Sequence, residues 1–308
     1  MKKSKLLLPI CLIVALVILI TAVIVSLTAG INLGVDFVGG KQIEIQMDNA
    51  DEFATYNNAV KSTLSAHGLA VDSSFTEGKY THTYYVAKIR TGEISDEEAL
   101  SIRTEIASSL TIDINNVSEL LDISGNVKQK TVVSVSIAIA AAIIIMFVVA
   151  WIRYGIMNGL ALLFHALVSL ILSFAMIFIT RVQLNVSSCC GILVSVVAGL
   201  VLFTAIIEKV REATKSSLNK NVTSREMYVA ALKDSIFATA IIFGGITLFS
   251  LFMLFISASY IVFFALSTVI SAIATVFALV VSTELAAKLY DISIEQTKQK
   301  LSKNNNSK

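Results

Sequence analysis

Proline, charge and catalytic side chains are all scarce in this chain, and each shortage excludes something. A single proline, Pro9, stands in 308 residues, so the helices should run with few proline kinks. The three cysteines, Cys11, Cys189 and Cys190, sit inside apolar runs. Adjacent cysteines rarely bridge each other and no CxxC pattern is present, which argues against a disulfide framework or a cysteine metal site. In such surroundings thiols act as small apolar groups. The histidines are His67, His82 and His165. The first two have no ligand spacing with a carboxylate and read as surface or strand residues. No HExxH, GxSxG, P-loop or paired-carboxylate pattern occurs. Gly39-Gly40 is no phosphate loop, because neither GK[ST] nor a helix start follows it. The expectation is a protein that is not an enzyme and holds no cofactor and no metal.

Charged residues make up 15% of the chain and hydrophobic ones 56%, with a mean hydropathy of +0.79. A soluble domain averages about 25% charged residues, so this is a membrane protein. Lys2, Lys3 and Lys5 precede an apolar run over 6–29. That run exceeds the 7–15 residues of a signal-peptide core and matches the about 20 needed to cross a bilayer. The small residues at 26–30 leave cleavage as the alternative. Further apolar runs cover 132–152, 155–179, 186–207, 235–256 and 260–286, so six transmembrane helices are expected. Orientation follows the lysines and arginines of the short flanks. The N-terminal tail, Arg153, the loop with Lys209, Arg211, Lys215, Lys220, Arg225 and Lys233, and the tail with Lys288, Lys298, Lys300, Lys303 and Lys308 all fall on one side. The opposite short loops hold Arg181. Both termini are therefore expected in the cytoplasm. The basic side needs only anionic membrane lipid as a partner, and nothing points to nucleic acid.

The long segment between the first two runs reads as a small external domain. Residues 42–47 alternate as a strand. Residues 51–66 look helical, with Asp48 or Asn49 as candidate caps. Strands are expected at 71–76 and 82–89, with Glu77-Gly78-Lys79 as the turn signal. Ser95-Asp96-Glu97-Glu98 is a capping box that opens a helix to about residue 109, and 117–123 is a last strand. The β-α-β-β-α-β order is the ferredoxin-like pattern. The expected organisation is thus 1–29 for the N-terminal tail and first helix, 30–130 for the external α+β domain, 131–290 for transmembrane helices two to six, and 291–308 for a cytoplasmic tail.

Gly34-Val35-Asp36-Phe37-Val38-Gly39-Gly40 lies at the junction of the first apolar run and the first strand. Three glycines there suggest backbone conformations a Cβ would hinder, or a close backbone approach. Asp36 could fix the turn by bonding nearby amides. The plain alternative is an ordinary turn with extra glycine. Within the apolar runs His165 is the titratable group at depth; it could switch charge near neutral pH or simply hydrogen-bond a neighbouring helix. Asn185 is a second candidate for an intramembrane polar site. Glu208, Lys209, Arg211 and Glu212 continue the fourth run past the membrane, either as a solvated helix end or as a docking point for a partner.

These residues carry a resemblance. The chain is similar to the SecD/SecF family of protein-export membrane subunits, which are related to resistance-nodulation-division (RND) transporters. It resembles the SecF branch, because its one external domain is small. Residues 34–40, with Gly34, Asp36, Phe37, Gly39 and Gly40, fit the family's G-[IV]-D-F-x-G-G signature. Asn185-Val186-Ser187-Ser188 looks like the family's N-L-T-T, and Glu208-Lys209-Val210-Arg211-Glu212 resembles its D-R-[IV]-R-E. The departures mark a divergent member. The family's Asn-Asp pair in span four falls on Val201 and Leu202, and its His-Asp pair in span three on His165-Ala166. A span-five arginine falls on Ala238, and the segment 122–126 lacks V-G-P-x-[VI]-G. An intramembrane carboxylate is normally retained for ion traffic; Glu208 and Glu284, near the cytoplasmic ends, are expected to reach water instead. The resemblance implies an auxiliary subunit of the Sec protein translocase in the bacterial cytoplasmic membrane. Its partners would be a SecD-like subunit, the SecYEG channel and exported polypeptide, with any proton-motive-force relay in the partner. The alternatives are an RND-type half-transporter for a lipid or small amphiphile, and a non-transporting assembly subunit.

Overall fold

The computed structural model describes residues 7–47, 49–79, 82–91, 94–123, 125–215, 223–255 and 259–306. A helix bundle carries a small α+β domain at one end, here called the domain end. The bundle helices are α1 (Leu7–Ala29), α5 (Gly125–Tyr154), α6 (Ile156–Thr180), α7 (Val186–Lys215), α9 (Ile236–Met253) and α10 (Ser259–Asn306). Among the described residues five stretches are long and apolar enough to cross a membrane: Ile10–Ala29, Ile156–Thr180, Val186–Thr214, Ile236–Met253 and Tyr260–Ile292. The run expected at 132–152 lies within α5, where the apolar stretch identified is the shorter Ala140–Tyr154. A short helix, α8 (Ser224–Asp234), crosses the far end, closed by a capping box between Thr223 and Glu226.

Helix α10 is the central element and packs along both α6 and α7. In lipid, apolar contact by itself does not favour helix pairing, and close approach through small residues does. Helix α7 supplies Gly191, Ser195 and Gly199 at four-residue spacing, one face of a helix. A Cβ on Gly191 would stand 2.6 Å from the Phe264 carbonyl oxygen, and one on Gly199 would overlap the Thr275 methyl. Ser195 Oγ donates to the Thr268 carbonyl at 2.9 Å. Facing them, α10 presents Ser267, Thr268 and Thr275, while its buried Ala274 and Ala278 pack on Leu172 of α6. The helix continues to Asn306, well past the expected end at 286, because no glycine or proline follows to stop it. The expected tail over 291–308 is therefore helical through residue 306. At the other boundary α5 begins at Gly125, inside the segment assigned to the external domain.

The domain has β1 (Gly40–Met47), α3 (Phe53–Ala66), β2 (Ala70–Lys79), β3 (His82–Arg90), α4 (Asp96–Leu110) and β4 (Leu121–Ile123). The antiparallel sheet has the order β2-β3-β1-β4, so α3 carries the chain across β3 to reach β2. Alternation in β1 points Ile43, Ile45 and Met47 inward, against Val60 and Leu64 of α3 and Ile102 and Ile106 of α4. Each such fully buried side chain contributes about 1.5–3 kcal/mol.

Local expectations changed in three places. Glu77, Gly78 and Lys79, expected to turn, instead extend β2 and pair with Tyr84, Thr83 and His82; the connection falls at 80–81, outside the described residues. The strand expected over 117–123 pairs only from Leu121, with Val117 making an isolated bridge to Ile45 one residue out of register. Ser118 fills the gap: its amide donates to the Glu44 carbonyl and its Oγ accepts from the Glu44 amide. The helix over 51–66 opens with a 3-10 turn, Ala50–Glu52, and has no side-chain cap. Asp48 lies outside the described residues. Of the capping box expected at Ser95–Glu98 the first half is present, Ser95 Oγ accepting from the Glu98 amide at 3.3 Å.

The glycine contacts make a test. Gly191→Ala must push α7 and α10 apart, at a cost of about 1–3 kcal/mol for overpacking. Gly244→Ala, where nothing lies within 4 Å, should be neutral or slightly stabilising. Thermal unfolding of the full chain in detergent should show the first variant lowered and the second unchanged.

Candidate functional site

The glycine segment 34–40 is where domain and bundle are fastened together. Val35–Val38 form one helical turn, α2, closed by the Val38 and Gly39 amides donating to the Gly34 and Val35 carbonyls. Gly39 then takes φ +84°, which a side chain would disfavour. Gly40 opens β1 so close to β3 that a Cβ there would overlap the Ile89 carbonyl oxygen. Phe37 is half-buried. Gly34 makes the connection to the bundle. Its amide donates to the Leu184 carbonyl, and the Leu184 amide donates to the Asn32 carbonyl, both at 2.8 Å. The segment between α1 and α2 thus pairs, strand-like, with the loop between α6 and α7. A Cβ on Gly34 would meet Asn185 Cβ at 3.0 Å.

Asp36 does not fix its own turn, as the sequence suggested; backbone bonds do that. Its Oδ1 accepts from Lys88 Nζ of β3 at 2.8 Å, and its Oδ2 lies 3.4 Å from the Val186 amide that opens α7. A carboxylate at a helix N-terminus is favoured by the helix dipole. Beside it stands a residue the sequence did not single out. The Asp72 side chain is only 5% exposed and accepts from the Val35 amide at 2.9 Å, from Arg90 Nη2 at 2.9 Å and from Gln183 Nε2. It joins the glycine turn, the domain and the bundle loop at one carboxylate. Arg90 also reaches Asn32, whose Nδ2 donates to the Arg181 carbonyl. The available signal was an aspartate inside a strand, where it is disfavoured, at the bulge between Val71 and Ser73. Phe75 adds an edge-on contact to Tyr260 at the start of α10, 5.4 Å between ring centres.

The two intramembrane polar candidates are not one site. Asn185 caps α7, its Oδ1 accepting from the Ser188 amide at 2.8 Å. His165 packs against Gly199, about 21 Å farther along that helix at 1.5 Å per residue. There its Nδ1 lies 3.1 Å from Ser282 Oγ and its ring stacks on Phe203 at 4.9 Å. Leu202 is buried in the helix core, whereas Val201 is 60% exposed on the surface of α7.

At the far end Glu208 lies 3.6 Å from Arg153 and 3.7 Å from Arg211, and both guanidiniums sit over Tyr154. This links α7 to the end of α5; Lys209 is half-buried and Glu212 is exposed. Glu284 departs from expectation. Its side chain is 7% exposed and receives two hydrogen bonds from Arg225, at 2.7 and 2.8 Å, instead of reaching water. Those bonds hold the Arg225 pKa above the ordinary arginine value. Tyr228 of α8 donates to Asn158 Oδ1 at 2.6 Å, so α8 is pinned under the bundle. Among the described residues no group of three or more His, Cys, Asp or Glu could hold a metal ion.

Asp72→Ala would leave the Val35 amide and Arg90 without their acceptor, a loss of about 1–3 kcal/mol. Limited proteolysis of the full chain should then cut within 30–40 several-fold faster than wild type. Glu97→Ala, on the outer turn of α4, should leave that rate unchanged. Equal protection in both variants would show that Asp72 does not hold the joint.

Residues 24–51 match the SecD/SecF GG motif family, a match centred on this joint. No curated protein matches in sequence. The fold is similar to that of SecDF in its super-membrane-facing form, with a TM-score of 0.67 at 15% identity over 97% of this chain and 40% of that one. It is also similar to SecDF from Thermus thermophilus, a translocon-associated membrane protein, with a TM-score of 0.61 at 16% identity over 92% of this chain and 37% of that one. The chain spans well under half the length of either SecDF. The chain thus carries the glycine motif of the SecD/SecF family at residues 24–51, set in a fold similar to that of SecDF.

Proposed function

We propose that this chain is a SecF-like accessory subunit of the Sec translocase that assists export of polypeptides across the cytoplasmic membrane, pairing with a SecD-like subunit. The observation that carries this reading is the glycine joint, which sets the domain on the α6–α7 loop in a SecDF-like fold. In this reading the bundle has six spans, α5 being the second, and both termini lie in the cytoplasm. The domain, whose strand order β2-β3-β1-β4 suits a ferredoxin-like fold, faces outward and contacts emerging polypeptide. One feature supports a SecD-like partner: α5, α6 and α7 leave an apolar groove of about 710 Å³ lined by Met146, Leu170, Val197 and Val201.

The role is mechanical rather than catalytic. An intramembrane carboxylate is the usual bearer of proton traffic, and Leu202 and Val201 are aliphatic. Any proton relay therefore belongs to the partner, with this chain as scaffold and external lever.

Purification in mild detergent should co-isolate a SecD-like subunit, and with it the SecYEG channel. Recovery of neither would overturn the reading in favour of an independent transporter or an unrelated assembly role. Proteoliposomes holding this chain alone should show no proton flux above protein-free vesicles when a pH gradient is imposed. Flux from the chain alone would move the relay back into it.

A further inference from the structure

An apolar groove between α9 and α10, roofed by α8, is unaccounted for by the family reading. It has a volume of about 520 Å³ and is lined chiefly by Leu232, Ile236, Ala240, Phe243, Leu279 and Val280, with Lys233 at its mouth. Its cause is local. Thr239 and Ala240 are small on the facing side of α9, and Thr283 and Val280 are small or branched on α10, so the two helices cannot fill the space between them. Phe243, 6% exposed, stands farthest along α9 from α8. From Ile236 to Phe243 the groove runs about 10 Å along α9, at 1.5 Å per residue. Half of a hydrocarbon core is about 15 Å thick, so the groove reaches about two-thirds of the way through one leaflet from one membrane surface.

Such a space is not left empty or wet. Water needs polar partners, and an empty gap forfeits the dispersion contacts of its lining. The one carboxylate on the wall, Glu284, is already held by Arg225. Lys233 is exposed and has no ion-pair partner among the described residues. It stands where α8 meets the head of α9, at the level a lipid phosphate would occupy. The neighbouring acid, Asp234, is exposed and does not line the groove.

We infer that this groove is a binding site for an anionic phospholipid, with one acyl chain between α9 and α10 and the phosphate on Lys233. The lipid completes the packing of α9, which has only 11% of its span buried within the chain, and joins α8 to the membrane surface. The site does not depend on a SecD-like partner.

Native mass spectrometry of the full chain, released from nanodiscs of mixed phosphatidylglycerol and phosphatidylcholine, tests this. Wild type should retain one phospholipid, enriched in phosphatidylglycerol. One basic residue near a membrane surface contributes about 1 kcal/mol, so Lys233→Gln should reduce that enrichment about fivefold. Ala240→Phe should fill the groove and abolish retention while α-helical circular dichroism stays unchanged. Phe237→Ala, on the exposed face of α9, serves as the control and should retain lipid as wild type does. Absence of retained lipid in wild type, or unchanged retention and preference in both groove variants, would overturn the proposal. So would a crosslink from position 240 to a partner's helix in the purified complex, since the groove would then hold protein.

Discussion

Gly34 has no side chain, and the attachment of the domain to the bundle depends on that. Its backbone pairs with Leu184 closely enough that a Cβ would press on Asn185. Once that pair forms, the neighbouring groups fall into reach of one another. Asp36 comes to the first amide of α7, and Asp72 comes to Gln183. Each of these contacts is modest alone. Together they leave the domain few ways to tilt, because they come from the glycine turn and from β2 and meet the short α6–α7 loop and the start of α7. The glycine motif is thus less a flexible turn than a surface for close backbone contact.

The bundle follows the same rule in lipid. Gly191 and Gly199 bring α7 against α10, and hydroxyl-bearing residues line the seam. Farther along, Phe203, Ile206 and Ile207 of α7 stay packed with Leu279 and Ala286 of α10, while Val201 is left on the surface. Among the described residues the ion pairs lie at the two ends. Asp36, Asp72, Lys88 and Arg90 work at the domain end, and Arg153, Glu208, Arg225 and Glu284 at the other. His165 lies between them, enclosed by Phe203, Gly199 and Ser282.

Periodic features were legible in the sequence. The alternation of Ile43, Ile45 and Met47 marked β1, and the Ser95–Glu98 cap marked α4, because both follow from local geometry. The long apolar runs marked the helices for the same reason. Features that need a distant partner were not legible. Glu77-Gly78-Lys79 reads as a turn until β3 lies beside it and offers hydrogen bonds. Residues 117–120 read as strand until Ser118 captures Glu44 and breaks the ladder. Asp36 looks like a turn cap until Lys88, 52 residues away, reaches it.

Sequence alone determined that the chain lives in a membrane and that a small α+β domain interrupts its apolar runs. Those conclusions rest on composition and spacing, which every residue carries with it, whereas the glycine segment read equally as a joint or as an ordinary turn. Tertiary structure decided what the joint is fastened to, that Asp72 and not Asp36 is its buried centre, and that Glu284 is enclosed by Arg225. Those depend on which side chains meet across distances in the chain that reach 59 residues for Arg225 and Glu284 and 111 for Asp72 and Gln183, and a hydrogen-bond partner has no trace in the sequence around the residue it completes.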